Sequence, residues 1–224
     1  MKNLAIIPAR GGSKRIPRKN IKDFLGKPII AYSIEAALNS GLFDEVMVST
    51  DDEEIAAVAV RYGASVPFMR NEKTANDVAT LSDVVEEVIN DYQQANLIFD
   101  NICCILPTAA FVTADMLRRG FDFLLETKVD SVRPVIRFSY PIQRAFRMDE
   151  KGAVSMFHPE FAQARSQDLE VTYHDAGMFY WMTVDKRLKG ANKYGFEISE
   201  MECQDIDNET DWKIAEMKYR LLNG

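Results

Sequence analysis

Short apolar runs alternate with segments of helical period along most of the chain. Residues 4–7, 45–49 and 102–106 are largely apolar runs bounded by polar or turn residues, as in strands buried on both faces. Further strands are predicted at 64–67, 131–136, 179–184 and 196–201. Strands and helices that alternate at this spacing predict an α/β fold of three layers, α/β/α, around a mostly parallel sheet.

The ends of the first two predicted helices are marked by particular residues. Pro28 stands where a first helical turn tolerates proline, and Gly41 is expected to end the helix that follows. Asp51 or Asp52 is expected to cap a second helix, which Gly63 closes. The first two strands are therefore each followed by a helix.

Later helices carry signals at their first turns. The Thr80-x-x-Asp83 spacing is that of a capping box before a helix with apolar residues on one face. Thr113 is expected to cap another helix. The final helix is predicted to begin at Thr210 or Asp211 and to run to residue 222.

Regular periodicity is lost between residues 137 and 177. Structureless connections longer than ~12–15 residues are uncommon, so we predict one domain over 1–224 with a hairpin arm at about 138–182. The arm needs a surface to bury its apolar side chains, and either a second copy of the chain or the chain's own site would provide one. Those side chains are Phe146, Met148, Met156, Phe157 and Phe161.

The composition is that of a globular protein, with 47% apolar and 27% charged residues. No apolar run approaches the ~18 residues of a membrane helix, and residues 4–7 are too few for a signal-peptide core, so we expect a cytoplasmic protein. Cys103 and Cys104 are adjacent, with Cα atoms ~3.8 Å apart across a trans peptide, which is too close for ordinary disulfide geometry. Cys203 is left alone, so no disulfide is predicted.

Positive charge is concentrated in one segment of an acidic chain. The net charge of −7 argues against binding of nucleic acid or an anionic membrane, yet residues 10–22 hold six cations and no acid. This segment follows the first strand, where open α/β sheets bind ligands, and Gly11 and Gly12 allow backbone N–H groups to approach an anion. The pattern predicts a site for a small polyanion; a solvated basic turn or a localisation signal is the alternative.

Two carboxylates, Asp205 and Asp207, flank the apolar Ile206 near the carboxyl terminus. On a strand they would share one face, about 6–7 Å apart. Such a pair suits Mg²⁺, which takes one or two protein oxygens and keeps several waters. Acidic residues also favour the first turn of a helix, so the residues by themselves leave helix capping equally open.

Taken together, these segments resemble the CMP-sialic acid synthetases, cytidylyltransferases that activate nine-carbon 2-keto sugar acids. The resemblance rests on IPARGGSK at 7–14, IP at 16–17, KN at 19–20, FLGKP at 24–28, STD at 49–51, LPT at 106–108 and DID at 205–207. It extends over nearly the whole chain and implies a Rossmann-like nucleotide-diphospho-sugar transferase fold. Arg15 and Arg18 stand where relatives often carry glycine, and we assign them no role.

The resemblance implies a set of site residues. Arg10, Lys14, Asp205 and Asp207 would be catalytic, and the two aspartates would bind Mg²⁺. The implied nucleotide-binding residues are Ala9, Arg10, Gly11, Gly12, Ser13, Lys14, Lys19, Asn20, Arg70, Ser82, Pro107 and Thr108. The implied sugar-binding residues are Arg165, Gln167, Tyr173, His174 and Asp175. By residue type alone, His174 is either a general base or a structural side chain.

Within the family the chain looks most like the pseudaminic acid branch. Leu106 stands where sialic acid enzymes usually carry glutamine, and the segments 139–144, 165–169 and 173–177 resemble that branch. The implied reaction converts CTP and pseudaminic acid to CMP-pseudaminic acid and pyrophosphate. The alternatives are the same reaction on N-acetylneuraminic, legionaminic or Kdo-type acid, and a catalytically silent nucleotide-binding module. The family pairs two subunits through its arm, which implies a homodimer.

Overall fold

A computed structural model describes residues 1–224. The strands are β1 (Asn3–Pro8), β2 (Asp23–Phe24), β3 (Lys27–Pro28), β4 (Glu45–Ser49), β5 (Asn101–Ile105), β6 (Ser131–Arg137), β7 (Phe146–Met148), β8 (Val154–Met156), β9 (Tyr173–Asp175), β10 (Phe179–Thr183) and β11 (Lys193–Glu197). The helices are α1 (Ile29–Ser40), α2 (Glu53–Arg61), α3 (Glu72–Ala75), α4 (Leu81–Gln94), α5 (Ala114–Thr127) and α6 (Glu209–Asn223). None of these helices combines the length and the apolar character needed to cross a membrane.

A seven-stranded sheet forms the centre of the molecule. Six strands follow the order β11-β6-β10-β5-β1-β4, and β9 pairs with the carboxyl-terminal residues 135–137 of β6. β1 is parallel to β4 and β5, and β11 is parallel to β6. β10 is antiparallel to both of its neighbours, β5 and β6, and β9 is antiparallel to β6. The predicted mostly parallel sheet is confirmed.

Alternating residues of β1 face two separate apolar cores. Ala5 and Ile7 belong to a cluster of 37 buried residues that the sheet shares with α1, α2, α5 and α6. Leu4 and Ile6 belong to a cluster of 11 buried residues that includes Val85 and its neighbours on α4. All four β1 side chains are fully buried, as expected of a parallel strand covered on both faces. The predicted three-layer arrangement is confirmed.

The helix ends follow the local chemistry of the sequence. The Asp52 side chain accepts a hydrogen bond from the first turn of α2, and Gly41 ends α1 in the left-handed region with φ 68°. Thr80 and Asp83 form the expected capping box of α4. Asn208 caps α6, so this helix begins one residue before the earliest predicted start.

Two predicted strands are wrong or displaced, and the strand geometry considered for Asp205 and Asp207 is absent. Residues 64–67 form only an isolated bridge from Ser65 to Met47, since Pro67 has no N–H to extend a ladder. The strand predicted at 196–201 lies at 193–197, because Ser199 and Glu202 form a capping box that opens a short 3₁₀ turn. Residues 203–207, including both aspartates, form no strand.

The excursion contains a two-stranded hairpin. β7 pairs antiparallel with β8, and Gly152 adopts a φ of 85° in the connection between them. Phe146, Met148 and Phe157 are 60%, 72% and 53% exposed, so the hairpin presents apolar surface to solvent. The chain rejoins the sheet at β9 and β10, and residues 179–182 therefore lie in a central strand rather than in the arm.

Candidate active site

A cavity of 530 Å³ lies at the carboxyl ends of β1 and β5, where ligands bind in open α/β sheets. Its walls come from the basic loop after β1, the segment between α3 and α4, and the residues that follow β5. Nine of the residues that the sequence implied for the site line it: Arg10, Ser13, Lys14, Lys19, Asn20, Arg70, Pro107, Thr108 and Asp205.

The backbone of the basic loop is held by polar contacts. The N–H of Gly11 donates to Asp51 Oδ1 at 2.9 Å, and the Asn20 amide donates to the carbonyl of Arg10 at 3.0 Å. A Cβ atom on Gly11 would lie 2.7 Å from Asp52 Oδ2, so only glycine fits this approach without a shift. The loop is therefore closed on itself and docked on the residues that follow β4.

Two loop cations share one carboxylate that the sequence analysis missed. Arg10 Nη1 lies 2.6 Å from Asp77 Oδ1, and Lys14 Nζ pairs with the other oxygen of the same carboxylate. The contact with Lys14, and to a lesser extent the contact with Arg10, holds the pKa of Asp77 below its usual value. Asp77 lies 63 residues after Lys14, in a segment without regular period, so no sequence signal connects them.

Asp205 and Asp207 lie beside the loop on either side of the buried Ile206. Asp207 pairs with Arg15 at 2.6 Å, and Lys19 Nζ donates to the Ile206 carbonyl at 2.6 Å. Burial lowers the pKa of Lys19, while Asp207 and then Asp205 oppose that shift. Residues 205–207 thus alternate as strand residues would, with the Ile206 side chain buried and the two carboxylates closer to the surface, although they form no strand.

Helix capping does not occupy these two carboxylates. The capping side chain of α6 is Asn208, and the Asp207 backbone N–H donates to Asp211 at 2.9 Å. No group of three or more His, Cys, Asp or Glu side chains forms a site that holds a metal alone. Mg²⁺ commonly takes only one or two protein carboxylates and completes its shell with phosphate oxygens and water. The donor set of Asp205 and Asp207 fits an ion that arrives with a nucleotide.

Arg70 contributes a buried cation to the same cavity. Its side chain is anchored at the end of β4, where Nε lies 3.0 Å from Ser49 Oγ and Nη2 lies 2.6 Å from the Ser49 carbonyl. The residue is only 8% exposed, and burial lowers the pKa of its guanidinium. The guanidinium is therefore held in a fixed position at the cavity wall.

Arg18 binds outside the cavity. It adopts a left-handed conformation with φ 54° and forms a two-pronged ion pair with Asp52, with a further contact to Glu54. The pair raises the pKa of Arg18 and lowers that of Asp52 to about 2. Arg18 thus ties the end of the loop to the first turn of α2.

Several implied nucleotide-binding residues lie around the cavity rather than in its lining. Ala9 is fully buried, and its N–H donates to the Ser49 carbonyl at 2.9 Å. Gly11 and Gly12 belong to the basic loop but do not line the cavity, and neither does the candidate metal ligand Asp207 beside the loop. The hydroxyl of Ser82 is buried at the start of α4 without a hydrogen-bond partner.

The five implied sugar-binding residues lie outside this cavity. Gln167 lines a separate cavity of 250 Å³ at the base of the arm, and Arg165 precedes it in the chain. Tyr173, His174 and Asp175 form β9 at the far end of β6. The chain by itself does not bring them together with the basic loop.

The β9 residues make contacts of their own. Asp175 accepts hydrogen bonds from Arg133 Nη1 at 2.9 Å and from the Tyr180 hydroxyl at 3.2 Å. The ring of the exposed His174 lies 4.9 Å from that of Phe138. Asp175 is therefore oriented by two neighbours that the sequence analysis did not identify.

Comparisons with known proteins cover the whole length of the chain. The profile of a family described as cytidylyltransferase matches residues 4–184. A pseudaminic acid cytidylyltransferase of Campylobacter jejuni is 45% identical over 227 residues, 99% of this chain and 97% of that protein. A CMP-N,N'-diacetyllegionaminic acid synthase of Legionella pneumophila is 34% identical at the same coverage, 99% and 97%.

A solved structure shares the fold. A CMP:2-keto-3-deoxy-manno-octonic acid synthetase complexed with CTP matches 100% of this chain and 99% of its own, with a TM-score of 0.73 at 17% identity. At that level of identity the likeness concerns the arrangement of the backbone and not the residues of the site.

Proposed function

The chain belongs to the cytidylyltransferase family, and on this premise we propose that it converts CTP and pseudaminic acid to CMP-pseudaminic acid and pyrophosphate. The resemblance inferred from the sequence motifs is confirmed, and the chain is a nucleotidyltransferase. Pseudaminic acid is the substrate named for the Campylobacter jejuni relative, which matches over nearly its whole length. This similarity is the observation that carries the proposal.

The geometry supports triphosphate binding at the basic loop. Arg10, Lys14, Lys19 and Arg70 line one cavity, and Gly11 lies in a closed loop where a Cβ atom would crowd the Asp52 side chain. Nucleotidyl transfer needs neutralisation of phosphate charge and in-line positioning more than covalent catalysis by the protein. The cations and the loop backbone supply these two requirements.

The reaction proceeds by direct displacement. The anomeric hydroxyl of the sugar acid attacks the α-phosphorus of CTP and passes its proton to water, and the bond from that phosphorus to pyrophosphate breaks. Arg10 and Lys14 bind the phosphates and stabilise the charge that develops on the leaving group. Lys19 is held by the Ile206 carbonyl near the two carboxylates, and from the cavity wall it would add its charge to the phosphate site.

Asp205 and Asp207 would hold Mg²⁺. When bound, the ion would neutralise phosphate charge and polarise the phosphoryl oxygens. Arg15 pairs with Oδ1 of Asp207, so Asp207 would bind the cation through its other oxygen or in exchange for this ion pair.

We place the sugar site at a two-fold interface between two copies of the chain. The implied sugar-binding residues Arg165 and Gln167 lie on the arm and not in the loop cavity, and the hairpin leaves Phe146 and Met148 exposed. A homodimer would bury this surface and bring the arm of one copy toward the loop cavity of the other. Sedimentation equilibrium at micromolar concentration should then give twice 25.4 kDa, and a fully active monomer would contradict the dimer.

We further propose that residues 1–224 work as a single domain in the cytoplasm. Both apolar clusters include residues of the one central sheet, and the three cysteines are buried and unpaired, in keeping with a reducing compartment.

A substrate panel tests the function. Pyrophosphate release from CTP is measured with pseudaminic, N-acetylneuraminic, legionaminic and Kdo-type acids, and without sugar. We expect pyrophosphate release to be fastest with pseudaminic acid. Release only with another acid would keep cytidylyl transfer and change the substrate, whereas CTP binding without release for every acid would indicate a silent nucleotide-binding module.

A further inference from the structure

Asp77 is the only ion-pair partner of Arg10 and Lys14, the first two cations of the basic loop. Its carboxylate pairs with Arg10 through one oxygen and with Lys14 through the other. All three side chains line the 530 Å³ cavity. Arg10 and Lys14 make no other ion pair, so Asp77 occupies both of the cations that the proposed reaction needs for phosphate and balances one of their two positive charges.

The segment that carries Asp77 is anchored at its base. The backbone N–H and the side-chain amide of Asn71 donate to Glu87 of α4 at 2.8 and 2.9 Å, and the Thr74 hydroxyl donates to the same carboxylate. Asn76 Oδ1 accepts the N–H groups of the next turn at 2.8 and 2.9 Å. These contacts fix the position from which Asp77 reaches the loop.

The tip of the segment is bound to the loop by charge alone. Val78, beside Asp77, is 87% exposed, so no apolar burial holds the tip against the loop. Exposed ion pairs contribute little to stability and exchange readily for a better partner. The contact can therefore break without disturbing the core.

We infer that Asp77 is an internal counter-ion, which takes the place of a phosphate group on Arg10 and Lys14 and is displaced when a polyphosphate binds. The inference rests on the proposed function, since it needs a phosphate-bearing substrate at the loop. Displacement has a consequence for affinity, because each binding event must first break two ion pairs. A chain without the Asp77 charge should bind polyphosphates more tightly.

Isothermal titration calorimetry without divalent metal tests the inference. Asp77→Asn should bind CTP and inorganic tripolyphosphate about 3- to 10-fold more tightly than the wild type, as expected from removing two exposed competing ion pairs. Cytidine, which has no phosphate, should bind both proteins equally. Circular dichroism checks that the variant is folded, which the exposure of Asp77 favours.

Glu72→Gln is the matched control. It removes the same charge from the same segment, on α3, where the Glu72 side chain pairs with neither loop cation. An increase in affinity confined to Asp77→Asn supports the inference. The inference is overturned by an equal increase in CTP affinity in both variants, by a higher affinity of Asp77→Asn for cytidine, or by weaker CTP binding by Asp77→Asn. In each of these cases, CTP binding by the wild type leaves the proposed function standing. If the wild type binds no CTP, with or without Mg²⁺, both fail.

Discussion

At the scale of single residues, the candidate site is a set of opposite charges that pair with one another. Asp77 holds Arg10 and Lys14, and Arg15 holds Asp207. A polyphosphate and a divalent cation offer these groups stronger partners than the exposed side chains they contact now. We therefore expect substitutions in the loop to change catalysis much more than stability.

Lys14→Ala tests this expectation directly. The substitution removes a positive charge from the phosphates in the transition state and should lower kcat by about 10²–10³, the range for loss of one oxyanion donor. The Lys14 side chain is 78% exposed, so the free energy of unfolding should change by less than ~0.5 kcal/mol. Steady-state kinetics and urea unfolding measure the two effects.

The control for this variant is Lys213→Ala, which removes an exposed, unpaired lysine on α6. It should match the wild type in both measurements. Turnover of Lys14→Ala at the wild-type rate would contradict a role for Lys14 at the phosphates.

Asp52→Asn should lower stability in a pH-dependent way. The ion pair with Arg18 is the main cause that lowers the pKa of Asp52 from 3.8 to about 2, so the folded state favours the carboxylate. Its contribution is present above pH 4 and is lost as the pH falls from about 4 toward 2. Asparagine keeps the helix cap and removes the charge.

Urea unfolding at pH 7, 5, 4 and 3 measures this effect. The free energy of unfolding of Asp52→Asn should be about 1–2 kcal/mol below that of the wild type at pH 7, and the difference should shrink below pH 4. Glu53→Gln, which removes an exposed charge of the same turn that forms no ion pair, should change it by less than ~0.5 kcal/mol. A difference that stays constant down to pH 3 would rule out the ion pair as its cause.

The basic loop could be predicted because its chemistry is contiguous in sequence. Glycines and cations follow a buried strand directly, and that order by itself indicates an anion site. The ion pairs with Asp77 and Asp52 could not be predicted, since they join residues 63 and 34 positions apart. Surface charges have no periodic pattern that marks their partners.

At the scale of elements, α5 approaches the sheet closely at Gly120. A Cβ atom there would lie 2.9 Å from Phe179 Cε2 and 3.0 Å from Trp181 Cδ1 of β10. Both aromatic residues are fully buried, and the Trp181 ring nitrogen donates to the Leu117 carbonyl at 3.0 Å. The antiparallel β10 is thus fixed against α5 by its aromatic side chains.

Gly120→Ala should destabilise the fold although alanine is the better helix former. The gain in helix propensity is ~1 kcal/mol, whereas the inserted methyl group must displace two immobile rings, at a cost of about 1–3 kcal/mol. We expect the free energy of unfolding to fall by about 1 kcal/mol, measured by urea unfolding. Asn90→Ala on the exposed face of α4 gains propensity without a contact and should be neutral or stabilising. A stabilised Gly120→Ala would contradict the packing argument.

Helix ends were easier to predict than strand directions. The capping box at Thr80 and the cap at Thr113 depend on residues within one turn, so their sequence signals are complete. The reversed direction of β10 and its place between β5 and β6 depend on long-range pairing. A short apolar run carries no signal for its direction or its neighbours.

At the scale of the whole molecule, the arm and the basic loop belong to one proposed site but lie apart in a single chain. Arg165 and Gln167 do not line the loop cavity, and Phe146 and Met148 of the hairpin remain exposed. Sequence predicted the arm, since a long segment without period and rich in apolar residues needs a partner surface. The sequence of one chain carries no signal that identifies the surface against which the arm packs.

Mixing two inactive variants tests whether the site is shared between two copies. Arg165→Ala impairs the arm and Lys14→Ala impairs the loop, so each homodimer should have little activity. In a mixed dimer with shared sites, one site combines the intact loop of the first copy with the intact arm of the second. The other site carries both lesions. After complete subunit exchange half of the dimers are mixed, so the mixture should recover about a quarter of wild-type activity.

Subunit exchange is verified by co-purification of two differently tagged variants before pyrophosphate release is assayed. A mixture of the Lys213→Ala and Lys14→Ala variants serves as the control. The activity of this mixture should equal the activity of the Lys213→Ala protein in it, whether or not sites are shared. Recovery in the Arg165→Ala and Lys14→Ala mixture requires Arg165 to act in the site of the partner subunit, because a self-contained site would keep one lesion in every copy. Verified exchange without recovery would place Arg165 either in its own chain's site or outside catalysis, and activity of Arg165→Ala alone distinguishes these two outcomes.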